Sequence, residues 1–153
     1  MRSVDIERAS ALLDRLKARA TGLWRVDGEG AALVQKAFVA APDMPAEAAE
    51  AFADATLRVP LDRVDLGIVQ AALGRVPAVS RVDAGDSGEG GSGYWLRRFG
   101  AVRSVAVPLF DESGNVRAVF SAAVGPDDRG DGQIAAIVRE IAEATGLGTV
   151  QPG

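Results

Sequence analysis

The sequence predicts an α+β domain: an antiparallel sheet with terminal helices on one face and short helices and loops on the other. Three observations carry that prediction. Residues 101–125 read AVRSVAVPLF, DESGN and VRAVFSAAVG, two β-rich runs around a Gly-containing turn, which is a hairpin pattern. Amphipathic helical patterns stand at both ends of the chain. Between them runs the order hairpin, short helices, strand, loop, hairpin, with no internal repeat or linker. A single domain over residues 3–146 and a short tail over 147–153 follow, in a chain of 153 residues that is long enough to bury one core.

The elements are justified in turn. In residues 3–20, Ile6, Ala9, Leu13, Leu16 and Ala20 recur at three- and four-residue spacing, with Ser3 or Asp5 near the start as caps. Gly22 is expected to break this helix. Leu23 to Val26, a DGEG turn and roughly Ala32 to Ala40 then form a hairpin, the Asp-Gly pair supplying the positive φ of a tight turn. PAEAAEAFADAT, residues 45–56, opens with Pro45 at a first helical position and continues in strong helix formers. LRVPLD predicts a short strand, DLGIVQAALGRV a helix capped by Asp65 and stopped at Gly74, and PAVSRVD another strand. YWLRRFG is long enough for about two helical turns. In the long hairpin, Val105, Val107 and Leu109 share one face, as do Val116, Ala118, Phe120 and Ala122 on the partner strand, while Pro108 predicts a bulge or a strand edge. The last helix takes Asp131 as cap, Ile134, Ile137, Val138 and Ile141 as its apolar stripe and Gly146 as terminator.

Composition excludes several functions. A net charge of −4 with both signs mixed along the chain argues against nucleic-acid partners and anionic membranes. No apolar run approaches the ~20 residues of a membrane span, and the acid-containing first residues do not resemble a secretory signal, so the expected compartment is the cytoplasm. Cysteine and histidine are both absent from the 153 residues. Disulfides, thiolate or imidazole metal ligands, thioester catalysis and Ser-His-Asp chemistry go with them.

Three motifs invite sharper readings. In GDSGEGGSGYW, Gly88, Gly90 and Gly93 match the G-x-G-x-x-G spacing of a dinucleotide loop. That fingerprint needs a strand-to-long-helix turn, and here a short helix and a hairpin follow, so the setting is wrong. DDRGDG, residues 127–132, hints at a calcium loop, yet Arg129 and Val138 occupy the third and twelfth positions where oxygen ligands belong. It reads instead as a solvated turn before the last helix, and no metal motif remains. Glu47, Glu50, Asp54, Asp62 and Asp65 read as a solvated face with no catalytic role.

Taken together, DLGIVQAALGRVPAVSRVD, a variable loop, FGAVRSVAVPLFDESGNVRAVFSAAVG and an amphipathic last helix resemble the GAF domain family over roughly residues 5–146. The matching positions are Gly67 at the start of a short helix, Gly74 to Val79 in the turn into a strand, and Arg103, Ser104, Val107, Pro108 and Leu109 in the hairpin. The resemblance implies a PAS-related central antiparallel sheet, a ligand pocket opposite the terminal helices, and homodimers built from those helices. It also implies sensing or regulation in signal transduction. The missing Cys and His exclude covalent bilin attachment, His-ligated haem and the thiol-dependent methionine sulfoxide reductase of this fold, and the cyclic-nucleotide residue set is not recognisable. The cofactor is therefore left unknown.

Site expectations follow. Tyr94, Trp95, Arg97, Arg81, Arg103 and Phe120 are the pocket candidates, with Arg98 beside them, since arginines grip anions and aromatics stack on planar ligands. Gly88, Gly90, Gly91 and Gly93 form the expected pocket lid. Ile6, Leu13, Leu16, Ile137 and Ile141 are the dimer-helix candidates. The function expected is a stand-alone, non-catalytic sensor of a small anionic or planar ligand, acting through a protein partner or a second copy. The alternatives are a ligand-free dimerisation or docking module and, behind it, an enzyme on the same fold.

Overall fold

The computed structural model describes residues 4–82 and 91–144. In chain order the elements are α1 (Val4–Leu16), β1 (Ala20–Val26), β2 (Ala32–Ala40), α2 (Ala46–Ala55), β3 (Arg58–Pro60) and α3 (Gly67–Gly74). They continue with β4 (Ala78–Arg81), α4 (Ser92–Phe99), β5 (Arg103–Phe110), β6 (Val116–Val124) and α5 (Asp131–Ala144). The strands form one sheet in the order β3-β2-β1-β6-β5-β4, and every pairing is antiparallel. An all-antiparallel sheet contains no βαβ unit, which removes the setting a dinucleotide loop requires.

The sheet is covered on both sides. On one face, Ala9, Leu12 and Leu16 of α1 and Ile134 and Val138 of α5 pack on Leu23, Val105, Val107 and Phe120. Thr21 fastens α1 to that face, its buried hydroxyl donating to the Ala9 carbonyl at 2.6 Å. On the other face α2, α3 and α4 bring Ala48, Val69, Leu96 and Phe99 against Trp24, Ala106 and Val119. Strand alternation produces this division, because successive side chains of β1, β5 and β6 enter opposite cores.

Several boundaries differ from the sequence reading, each for a local reason. Helix α1 ends at Leu16 because Lys17 takes a left-handed φ of 53° and the Ala18 amide donates back to the Leu13 carbonyl at 3.0 Å. Ala20 and Gly22 therefore lie in β1, and Asp5 sits inside α1, paired with Arg8 and Arg25. In the β1–β2 turn the positive φ falls on Gly30, at 72°, rather than on Gly28. Leu66, not Asp65, occupies the cap position of α3, since the Asp65 carboxylate is held by Arg63. At the other end Gly74 is the last helical residue and Arg75 takes the left-handed φ of 63°. Asp131 is the first residue of α5, and its carboxylate goes to two arginines instead of capping the helix. The Gly130 amide there donates to the Gln133 side chain at 2.7 Å. Gly146 lies outside the described residues.

The long hairpin holds one phase change. Ala118 pairs with Leu109 but Val116 pairs with Phe110, so Arg117 is an extra residue on β6. Val116 is turned by this bulge onto the α2–α4 side and leaves the face that Ala118, Phe120 and Ala122 share. Pro108 fits one residue before the bulge because β4 pairs only with Arg103 to Ala106, leaving β5 with a free edge at Pro108. Among the described residues no helix is long and apolar enough to cross a membrane.

Candidate functional site

A cavity of about 50 Å³ lies between the sheet and α2–α4, on the face opposite α1 and α5. Its floor consists of small residues on three adjacent strands: Ala20 and Gly22 on β1, Ser121 and Ala123 on β6, and Ser104 on β5. The same strands send Leu23, Val105, Val107 and Phe120 to the opposite core, so the large residues fill one face and the small ones leave space on the other.

The walls are aromatic. Phe52 of α2 stands at their centre, with ring centroids 5.2 Å from Phe38, Trp95 and Phe99 and 6.1 Å from Trp24. Edge-on geometries predominate, as ring quadrupoles favour. Trp24 is pinned by its indole N–H, which donates to the Thr56 carbonyl at 2.9 Å. Its ring lies over Gly22, where a Cβ would come within 2.4 Å of it. Gly22 is therefore the residue that lets the indole fold down on the strand. Trp95 is held by α4, where Arg98 stacks 5.3 Å from its ring and pairs with Glu47 of α2 at 3.6 Å. Gly100 closes α4 with a φ of 72°, and the Arg19 side chain donates to the Phe99 carbonyl at 2.9 Å.

One end of the cavity is polar. Gly67 opens α3 there, and its amide donates to the Ser92 hydroxyl at 2.9 Å. A Cβ on Gly67 would lie 2.9 Å from the Ser80 hydroxyl, 3.7 Å from that of Ser92 and 4.0 Å from that of Ser104. Glycine at this position thus admits three hydroxyls to the helix start. Ser80 and Ser104 are direct cross-strand partners, and Ser121 lies diagonally on the next strand.

The pocket candidates separate on this geometry. Trp95 lines the cavity. Tyr94 is its neighbour on α4, its ring 5.0 Å from Trp95, but is not itself a lining residue. Arg97 is exposed and reaches the Val82 carbonyl at 3.4 Å. Two placements correct the sequence reading outright. Phe120 belongs to the core under α1 and α5, as strand parity requires of a residue in phase with Ala118 and Ala122. Arg103 is buried, with its guanidinium bonded to Asp131 at 2.6 Å and to the carbonyls of Asp127 and Arg129. Arg81 joins Arg103 on the same Asp131 carboxylate. These two arginines bind α5 and its preceding turn to β4 and β5, and neither lines the cavity.

Of the expected lid, Gly88 and Gly90 lie outside the described residues. Gly91 occupies the cap position of α4 and Gly93 is the second residue of that helix. Among the dimer-helix candidates, Leu16 is fully buried in the chain's own core, while Ile6, Leu13, Ile137 and Ile141 are partly buried against it.

The strongest electrostatic feature also lies away from the cavity. Arg129 hydrogen-bonds Asp127 at 2.9 Å and holds its carboxyl down at about 2, while donating to the Leu16 carbonyl at 3.0 Å. This pair ties the end of α1 to the turn before α5. Among the described residues no group of three or more His, Cys, Asp or Glu is placed to hold a metal.

No family model matches the sequence, and no curated protein matches it. Solved structures do. The free methionine-R-sulfoxide reductase from Neisseria meningitidis, in complex with its substrate, is 21% identical over 92% of this chain and 77% of its own, with a TM-score of 0.58. The GAF domain/HD domain protein from Geobacter sulfurreducens is 13% identical over 95% of this chain and 89% of its own, with a TM-score of 0.67. The second GAF domain of DevS from Mycobacterium smegmatis is 21% identical over 94% of this chain and 91% of its own, with a TM-score of 0.58. With its antiparallel sheet, two helices behind and three in front of a cavity, the protein has the GAF-domain fold.

Proposed function

We propose that this chain is a non-catalytic sensory or regulatory domain that binds a small ligand in the cavity beneath α2–α4. The observation that carries this reading is the floor of Ala20, Gly22, Ser104, Ser121 and Ala123, which keeps space open under five aromatic rings. A non-catalytic role is supported by the lining, which among the described residues includes no ionisable side chain, and by a chain without cysteine or histidine. The reductases among the structural neighbours share the fold, but no thiol is present here to reduce a sulfoxide. Output is proposed to pass to a protein partner or a second copy through α1 and α5, which sit directly behind the cavity floor.

Native mass spectrometry of the protein incubated with a metabolite extract tests the reading. Wild type should retain a small added mass that Ser121→Val, which fills part of the floor, loses while keeping its fold. A spectrum with no added mass for either protein would favour a second reading. That second reading is a ligand-free dimerisation or docking module, and the small volume of the cavity is the observation on its side.

A further inference from the structure

If the cavity is a ligand site, as proposed above, its walls also select the chemistry of the ligand. Size acts first. The cavity measures about 50 Å³. A cavity that holds benzene measures ~150 Å³, so this one encloses only a few non-hydrogen atoms and cannot enclose a nucleotide or a tetrapyrrole. The floor cannot deepen, because Val105, Val107 and Phe120 fill the layer behind it with no exposure. Nor does Trp24 yield readily, held between Gly22 and the Thr56 carbonyl.

Charge acts second. Among the described residues no Asp, Glu, Lys or Arg lines the cavity. An ion entering it would lose hydration and meet no fully charged partner among the described lining residues, a cost that an uncharged molecule of the same shape avoids. Arg81 and Arg103, the arginines expected to receive an anion, are engaged by Asp131 and do not line the cavity.

Hydrogen bonding acts third. The hydroxyls of Ser104 and Ser121 have no hydrogen-bond partner among the described residues, although both line the cavity. Ser92 accepts the Gly67 amide and keeps its own proton to donate. The start of α3 adds a positive helix end beside these hydroxyls, which favours an acceptor atom. An apolar filling of the cavity would leave these groups unmatched.

We propose that the cavity selects a small uncharged molecule whose carbonyl- or amide-type oxygen accepts hydrogen bonds from Ser92, Ser104 and Ser121, with its alkyl part against Trp24, Phe52 and Trp95. The recognition element is thus a serine-lined helix start facing an aromatic wall. It discriminates by size and neutrality.

Acetamide, acetate and acetamidinium share one planar shape and differ in charge, so they separate these terms. The chain's two tryptophans both border the cavity, and their indole resonances report occupancy in an NMR titration of the full chain. Acetamide should shift both tryptophans saturably, with affinity at least about tenfold above either ion. The Ser104→Ala/Ser121→Ala variant should weaken acetamide about five- to thirtyfold while leaving the amide spectrum dispersed. Equal or tighter binding of acetate or acetamidinium overturns the inference and leaves the ligand-site reading standing. Acetamide binding that is indifferent to loss of both hydroxyls also overturns it. If none of the three binds, the inference fails, and the mass retained by wild type but not by Ser121→Val then decides whether the site reading survives.

Discussion

Gly22 occupies a strand position where every other residue would collide with an indole ring. Its absent Cβ lets Trp24 fold over the strand, and a methyl group 2.4 Å from the ring would have to displace it. Gly22→Ala should therefore cost about 1–3 kcal/mol, as overpacking does. A denaturant titration followed by tryptophan emission would show both the lower midpoint and a shifted native spectrum. Unchanged stability would mean that the ring moves freely. The arginines teach the converse lesson at this scale. Arg81 and Arg103 were legible as anion-binding groups, but not as groups already holding an anion of their own chain. Nothing in the local sequence says that Asp131, at the start of a helix some thirty to fifty residues on, will arrive between them. Phe120 is misassigned by the pocket reading, although its phase with Ala118 and Ala122 already places it away from Ser121 and Ala123.

The elements themselves were largely readable, because alternation and helical spacing are strong local signals. The hairpin of β5 and β6, both terminal helices and the three short helices follow from residue order. Register was not readable. The extra residue at Arg117 moves Val116 to the other core, and only the pairing with Phe110 reveals it. The joints between elements support two predictions. Arg103 fastens β5 to the α5 turn through Asp131 and two carbonyls. Arg103→Met should lose about 3 kcal/mol, because Asp131 and those carbonyls lose their shared partner. Arg103→Lys should recover little, since a single ammonium cannot reproduce the fork. A double-mutant cycle with Asp131→Asn, measured by urea unfolding, should give a coupling of the same sign. The Asp127–Arg129 joint predicts acid behaviour. The folded pKa of Asp127 is about 2, below the ordinary aspartate value, so the unfolded chain binds the extra proton. Its contribution is complete above the ordinary value and is lost as pH falls through about 2. Asp127→Asn should flatten the stability of the protein across that interval, and an unchanged acid slope would remove the pair from the account.

At the scale of the whole molecule, one sheet separates two unlike cores. The core under α1 and α5 gathers fully buried Leu12, Leu23, Val105, Val107 and Phe120, whereas the core under α2–α4 contains the cavity. The division was legible as an expectation of unlike faces, while the cavity's contents were not, since Trp24, Phe38 and Phe52 come from β1, β2 and α2, and meet Trp95 and Phe99 only through tertiary packing. Assembly belongs to this scale too. If α1 and α5 form a two-fold interface, light scattering across a concentration series should give twice the monomer mass, and charged substitutions at Ile6 and Ile137 should return it to one. Leu16 is a poor probe, because it already serves the monomer. The cavity lining has a final consequence. Among the described residues it offers nothing that gains or loses a proton. Ligand affinity should accordingly be flat from mildly acidic to mildly alkaline solution, so that a signal read here tracks chemical concentration and is blind to the acidity of its surroundings.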